Sequence, residues 1–252
     1  MRYFVTGATG FLGRELVRRL LSQGHEIRAL VRDRVRASEL DEAILFEGDV
    51  TEKESMREGM QGVDGLFHVA GWYKIGTRDK RPGELVNVQG TRNVLELMRE
   101  LEVPKGVYVS SLAVHSNTHG RIIDESYRFT GRHLSEYDRT KAAAHDLAME
   151  MISQGLPLVI GMPGVIYGPG DQSSFGNSLQ AYLRRDLPMV PRGSGACFTY
   201  VKDVAQGLIL CMEKGRKGES YHLCGEPAYF VDVFNLAEEI TAIPAPPSVP
   251  VW

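Results

Sequence analysis

The sequence predicts an α/β protein, a doubly wound parallel sheet with a small C-terminal substrate-binding region. Three observations predict it. Short runs rich in β-branched and aromatic residues alternate with stretches of helical period. Those runs are apolar on both faces, as in parallel strands covered by helices on either side. The first run passes into the first helix through the evenly spaced glycines of TGATGFLG. At 252 residues, 43% hydrophobic and 24% charged, the chain can bury a sizeable core. A formal net charge of -3 gives no global basic field for nucleic acid or an anionic membrane, so the expected partners are small molecules.

Taken in order, the expected strands are RYFVT (2–6), EIRALV (26–31), AILFEG (43–48), DGLFHVA (64–70), GVYVSS (106–111) and LPLVIGMP (156–163). After the first strand, Leu12, Leu16, Val17, Leu20 and Leu21 recur at helical spacing until Gly24, a residue suited to ending a helix in a left-handed conformation. Residues 85–103 and 137–155 show the same period. Alternating βαβ units with right-handed crossovers give the doubly wound sheet. Residues 1–165 are therefore expected to form a dinucleotide-binding Rossmann core. Residues 166–252 are expected to be mainly a substrate region interleaved with it and lacking C-terminal helices. That region holds glycine-rich loops at 167–177 and 190–198 around a helical stretch at 178–186, and a proline-rich extended tail, 242–252.

Gly7, Gly10 and Gly13 lie between a strand and a helix, the context that gives such a motif meaning. Glycine allows a tight turn and close approach of backbone to a pyrophosphate, and free N–H groups at a helix start favour its negative charge. The second strand ends near where an adenosine ribose would lie. A carboxylate there would bind both hydroxyls of NAD; this chain offers Val31 and Arg32 instead. A guanidinium pairs bidentately with a phosphate, so Arg32, helped by Arg34 or Arg36, points to NADP(H) over NAD. A solvated basic loop is the competing reading of RDRVR. Asp49 and Val50, after the third strand, are placed to bracket an adenine.

Tyr137 and Lys141 stand four apart on one helix face. An ammonium and a cofactor's positive charge lower a phenol's pKa, so that Tyr137 can exchange a proton with a substrate hydroxyl or carbonyl. Ser111 ends the fifth strand at the carboxyl edge of the sheet, where its hydroxyl can reach the same substrate oxygen.

The ordered set TGATGFLG, GDV, HVAG, NVQGTRNVL, VYVSSLAV, YDRTK and PGVIYGPGD resembles the extended short-chain dehydrogenase/reductases over about residues 1–240. That family includes nucleotide-sugar epimerases and dihydroflavonol-reductase-like enzymes. The resemblance implies Ser111, Tyr137 and Lys141 as the catalytic triad and adds Thr9, Phe11 and Leu12 of the glycine loop to the cofactor site. It implies that Val69, Ala70 and Gly71 run past the cofactor, that Ser110 touches it or supports the strand, and that Asn87 braces the centre of the sheet. It places Pro163 and Val165 around the nicotinamide, and reads YVKDVA (200–205) as a strand leading into a helix beside the substrate.

Departures from the family narrow the chemistry. Leu112 and Ala113 stand where 4,6-dehydratases carry an acidic pair, and His115 and Ser116 where sugar epimerases often have Tyr-Gly. The leading expectation is an NADP-dependent reductase of a ketone or aldehyde; a sugar epimerase using transient oxidation and a non-catalytic dinucleotide sensor are the alternatives. No metal site is expected from His115 and His119, and no hydrolase elbow is present. Cys197, Cys211 and Cys224 lack disulfide or CxxC spacing, and with the absence of a leader or long apolar run this points to the cytoplasm. Family members often pair the helices at 85–103 and 137–155 into a homodimer. Substrate walls are expected at 72–82, 112–135 and 171–199, with Arg184, Arg185 and Arg192 meeting either a phosphate or water.

Overall fold

The computed structural model describes residues 1–74, 76 and 79–250. Seven parallel strands form the main sheet. In chain order they are β1 (Arg2–Thr6), β2 (Glu26–Val31), β3 (Ile44–Glu47), β4 (Gly65–His68), β5 (Gly106–Val109), β6 (Leu158–Pro163) and, after three short strands, β10 (Ser220–Leu223). The intervening strands are β7 (Val165–Tyr167), β8 (Val190–Arg192) and β9 (Gly195–Tyr200); β11 (Pro227–Tyr229) and β12 (Ser248–Pro250) complete the set. The spatial order is β10-β6-β5-β4-β1-β2-β3, so the sequence order reverses between β1 and β4, and ligands bind at such a switch point.

The helices are α1 (Phe11–Ser22), the single turn α2 (Arg57–Met60), α3 (Arg81–Gly83), α4 (Thr91–Glu100), α5 (Glu136–Ser153), α6 (Ser174–Leu183), α7 (Val201–Glu213) and α8 (Phe230–Thr241). Among the described residues no helix is long and apolar enough to cross a membrane. Helix α1 ends as its sequence suggests: Gly24 takes φ +79°, and the amides of Gly24 and His25 return to the carbonyls of Leu21 and Leu20. Between α3 and α4 the segment Glu84–Gly90 is π-helical, which the apolar period of 85–103 does not reveal.

Strands β4, β5 and β6 are wholly buried, which is why their sequences are apolar on both faces. Alternation sends Val5, Val107 and Val109 to one core beneath α1 and α7. Phe4 and Tyr108 go to the opposite core with Val94, Leu95 and Ala148 of α4 and α5. Burying each large aliphatic side chain contributes roughly 1.5–3 kcal/mol before the entropy of ordering is counted.

Three features differ from the sequence expectation. Residues 190–198, expected as a glycine-rich loop, form β8 and the first part of β9, because each finds a backbone partner elsewhere in the chain. The main sheet gains β10, whose sequence SYHL carries only a half-buried pattern and no apolar run; it pairs with β6, Ser220 opposite Ile160. The described part of the tail is extended, and it finds a partner: β12 pairs in parallel with β8, Ser248 opposite Val190. Above the main sheet lie the three-stranded sheet β11-β9-β7 and a small core of Tyr182, Val190 and Phe234.

Candidate active site

A crevice of about 2090 Å³ follows the carboxyl edge of the sheet. At one end the glycine turn forms its floor. Gly7 has φ +71°, and a Cβ there would lie 2.6 Å from the Ala70 amide nitrogen; at Gly13 a Cβ would lie 2.0 Å from the Gly7 carbonyl oxygen. The first glycine thus admits the strand that passes over it, and the third lets α1 sit down on the turn. Helix α1 begins with no side-chain cap and no acid in its first turn, so its first amides face the crevice unpaired by side chains. This cradle fits a pyrophosphate.

The other sequence-selected residues fall around the same space. Thr9, Gly10, Phe11 and Leu12 line it with Gly7 and Gly13, as do Arg32, Asp49, Val50, Val69, Ala70 and Gly71. Arg32 is exposed at the end of β2 and makes no ion pair among the described residues. Arg34 is drawn to Glu47 at 3.8 Å, and the side chain of Arg36 lies outside the described residues. Asp49 is held in its turn by accepting from the Thr51 amide and hydroxyl at 2.9 and 2.8 Å.

At the centre, Ser111, Tyr137 and Lys141 converge. Ser135 caps α5, its Oγ accepting from the Asp138 amide at 3.0 Å while its hydroxyl donates to Asp138 Oδ1 at 2.7 Å. That reciprocal cap starts the helix at Glu136 and so fixes where Tyr137 and Lys141 project. Ser111 accepts from the Ala113 amide at 3.1 Å, and its side chain faces the Tyr137 hydroxyl. Tyr73 meets the Tyr137 ring edge-on at 4.9 Å. Burial raises the Tyr137 pKa above that of an ordinary phenol, although the Lys141 ammonium and Ser111 pull it down. In the protein alone, then, burial outweighs the acidifying ammonium that the sequence pattern suggests. Burial lowers the pKa of Lys141 in turn.

Ser110, Pro163 and Val165 also line the crevice; Ser110 Oγ is 3.0 Å from His145 Nδ1. Asn87 does not line it. It sits in the π-helical segment rather than in the sheet, accepting from the Trp72 amide at 2.7 Å and donating to the Trp72 carbonyl and Thr140 Oγ1, each at 3.0 Å. Its role there is to tie the loop after β4 to helix α5, one step behind the lining.

The outer half of the crevice draws on all three expected wall segments, including Trp72, Tyr73, Leu112, Ile123, Phe175 and Pro191; positions 75, 77 and 78 of the first lie outside the described residues. Sequence reasoning missed the wall supplied by His222, Cys224, Pro227, Tyr229 and Phe230. Its only signal was the short YHLCGE stretch, which carries no motif. His115 turns inward, Nε2 to Nε2 of His222 at 3.0 Å, while His119 lies on an exposed turn, so the two do not converge. Burial pushes His115 down to about 4, with His222 and Arg128 adding to the shift. Cys224 faces Cys197, and burial with that neighbour pushes the Cys224 thiol up to about 11. Arg184, Arg185 and Arg192 are exposed outside the crevice, Arg192 bonding Ser248.

A doubly wound sheet with a glycine cradle at its switch point and a tyrosine beside a buried lysine defines a dinucleotide-dependent oxidoreductase. The model of the NAD dependent epimerase/dehydratase family matches residues 3–224, and the chain belongs to that family, whose members use a nicotinamide cofactor. It is 34% identical over 261 residues to a putative dihydroflavonol 4-reductase of Synechocystis sp., covering 99% of this chain and 76% of that protein. It is 32% identical to sterol demethylase protein B of Methylococcus capsulatus, covering 98% and 76%. The chain thus spans about three quarters of these relatives. Among solved structures, that of gox2253 superposes with TM-score 0.89 at 31% identity, covering 98% of this chain and 77% of that one. DesIV, a dTDP-glucose 4,6-dehydratase from Streptomyces venezuelae with NAD bound, has TM-score 0.87 at 22% identity, covering 100% and 85%, and shares the fold.

Proposed function

We propose that this enzyme reduces a ketone or aldehyde with NADPH, using Ser111, Tyr137 and Lys141. The observation that carries the reading is the meeting of a serine hydroxyl, a phenol and a buried ammonium on one stretch of crevice wall. A bound nicotinamide would supply the hydride. Tyr137, a weak acid kept protonated by burial, gives its proton to the carbonyl oxygen. Ser111 donates a hydrogen bond to the same oxygen, and Lys141 steadies the charge that develops on Tyr137. Residues 1–165 supply the dinucleotide half of the site and residues 166–252 most of the substrate half.

NADP is favoured because Arg32, with no carboxylate bound to it among the described residues, stands where an acid would select NAD. Relatives named as reductases support the direction of the reaction, among them a ketoreductase of Stigmatella aurantiaca and a 2-alkyl-3-oxoalkanoate reductase of Shewanella oneidensis. The aromatic and aliphatic outer wall suits a carbonyl on a largely apolar body.

The test is a spectrophotometric panel of ketones and aldehydes run with NADPH and NADH on wild type and Tyr137→Phe. The expected result is turnover of at least one carbonyl with NADPH preferred, and a loss of at least about 100-fold in Tyr137→Phe with NADPH binding retained. Undiminished turnover in Tyr137→Phe, or isomerisation of a nucleotide sugar with no net redox change, would overturn it.

A further inference from the structure

Lys141 does not stand alone against Tyr137. Its Nζ donates to the Val109 carbonyl at 2.9 Å and to the Tyr108 hydroxyl at 3.2 Å, and it lies 4.9 Å from the Tyr108 ring centroid. An ammonium has three N–H groups, so two are engaged behind the crevice and one is left for its floor. Tyr108 is fully buried, in the core shared with α4 and α5. Phenylalanine would fill that space without the cost of burying a hydroxyl.

The hydroxyl is instead the meeting point of a buried polar chain. Besides accepting from Lys141, it faces the hydroxyls of Thr91 and Ser110. Thr91 Oγ1 is 3.0 Å from His68 Nε2, and His68 Nδ1 is 2.8 Å from Thr6 Oγ1, which accepts from the Ala70 amide. On the other side Ser110 reaches His145. Five elements, β1, β4, α4, β5 and α5, thus bring polar side chains around one phenol, and that phenol's ring stacks on His68 at 5.4 Å and 21°.

We propose that Tyr108 is a positioning residue of the reductase site, its hydroxyl and the Val109 carbonyl together holding the Lys141 ammonium at the crevice floor beside Tyr137. The proposal rests on the reductase reading for its catalytic meaning. The titratable groups facing Lys141 are Tyr137 and His145 on its own helix, His68 from β4 and Tyr108 from β5; Tyr73 faces Tyr137 from the loop after β4. Burial holds both histidines neutral, His68 at about 3 and His145 at about 4, so neither adds a charge near neutral pH. Removing the Tyr108 hydroxyl leaves the ammonium one acceptor short and makes it easier to deprotonate. Tyr137 then loses a neighbouring positive charge and ionises at higher pH.

The test is Tyr108→Phe, which keeps the ring. Ionisation of Tyr137 is read from tyrosinate absorbance as the difference between wild type and Tyr137→Phe, and between Tyr108→Phe and the double variant. The expected result is an upward shift of about one pH unit, the scale of a lost hydrogen bond to a charged group. Oxidation of a secondary alcohol with NADP should show the same displaced limb and recover at high pH. Thr91→Val, which removes the hydroxyl that faces Tyr108 and bonds His68, should shift the titration in the same direction by less, and it decides the matter if Tyr108→Phe does not fold. A Tyr137 titration superimposable on wild type, with only melting temperature lowered, would show that Tyr108 merely packs. Because the titration needs neither substrate nor coenzyme, it reads this link even if no carbonyl is turned over, an outcome that would sink the reductase reading instead.

Discussion

Gly13→Ala places a methyl group 2.0 Å from the Gly7 carbonyl oxygen, 2.8 Å from the Gly7 carbonyl carbon and 3.0 Å from Ala8 Cα. All three neighbours are backbone. The oxygen stands about 1.4 Å inside the 3.4 Å at which ordinary van der Waals contact begins, so either α1 lifts or the turn opens. The turn has little room to yield, because a Cβ on Gly7 would already lie 2.6 Å from the backbone of Ala70. Replacing a helical glycine by alanine gains up to about 1 kcal/mol in propensity, against an overpacking cost of about 1–3 kcal/mol or more. We expect a net loss near the upper end, about 2 kcal/mol, because no side chain can swing away. For a chain of this length that corresponds to a fall of roughly 4–8 °C in melting temperature, measurable by calorimetry. Displacing the amides that cradle the pyrophosphate should also weaken NADPH binding at least tenfold in a fluorescence titration. Gly10→Ala is the milder comparison: its Cβ would meet nothing closer than 3.2 Å, and exchanging glycine for alanine at an N-cap costs roughly 0.5–1 kcal/mol. If Gly13→Ala melts within a degree of wild type and binds NADPH equally well, the argument that this glycine sets the approach of helix to turn is refuted.

Arg32→Asp should reverse the NADPH preference in the ratio of kcat/KM values; an unchanged ratio would show that Arg32 faces only water. Ser135→Ala removes the cap of α5 and should cost about 1 kcal/mol, seen as a lower urea midpoint. The variant should also lose some kcat through looser placement of Tyr137. His68, His115 and His145 are held neutral by burial, at about 3, 4 and 4, below the usual 6.5. Unfolding therefore takes up protons as pH falls below 6.5, and their stabilising effect is complete above that value and lost progressively down to about pH 4 for His115 and His145 and about pH 3 for His68. The slope is roughly 1.4 kcal/mol per pH unit for each histidine. Urea titrations at pH 7, 6 and 5 should show the decline, and His115→Gln should flatten it by about one proton.

The fold and much of the crevice were legible because the physics there is local. Both-face apolar runs mark buried parallel strands, and the strand edges expected at 26–31 and 2–6 coincide with β2 and β1. The glycine spacing reports contacts within a few residues, and Tyr137 and Lys141 share a helix face by periodicity alone. What escaped the sequence depends on distant partners. Strand β10 is specified by pairing with β6, and β12 by pairing with β8, neither of which leaves a local pattern. Asn87 carries a family motif, yet its place behind the lining follows from a π-helical winding for which we have no physical account. His222 and Cys224 enter the wall because β10 ends beside Pro163. The direction of the Tyr137 pKa shift turned on its depth of burial, which no spacing encodes.

Strand β6 has β10 for its neighbour although the chain wanders far between them. Polypeptide that departs at Pro163 and rejoins at Ser220 is stapled at both ends to the same rigid edge. Since closing a longer loop costs only slowly more, the part of this excursion before α7, which itself belongs to the sheet's core, can be lengthened, trimmed or rewritten while the strands below keep their register. Such a layout lets molecular taste drift independently of the machinery beneath it, and makes grafting residues 165–200 between relatives the natural way to exchange one preference for another.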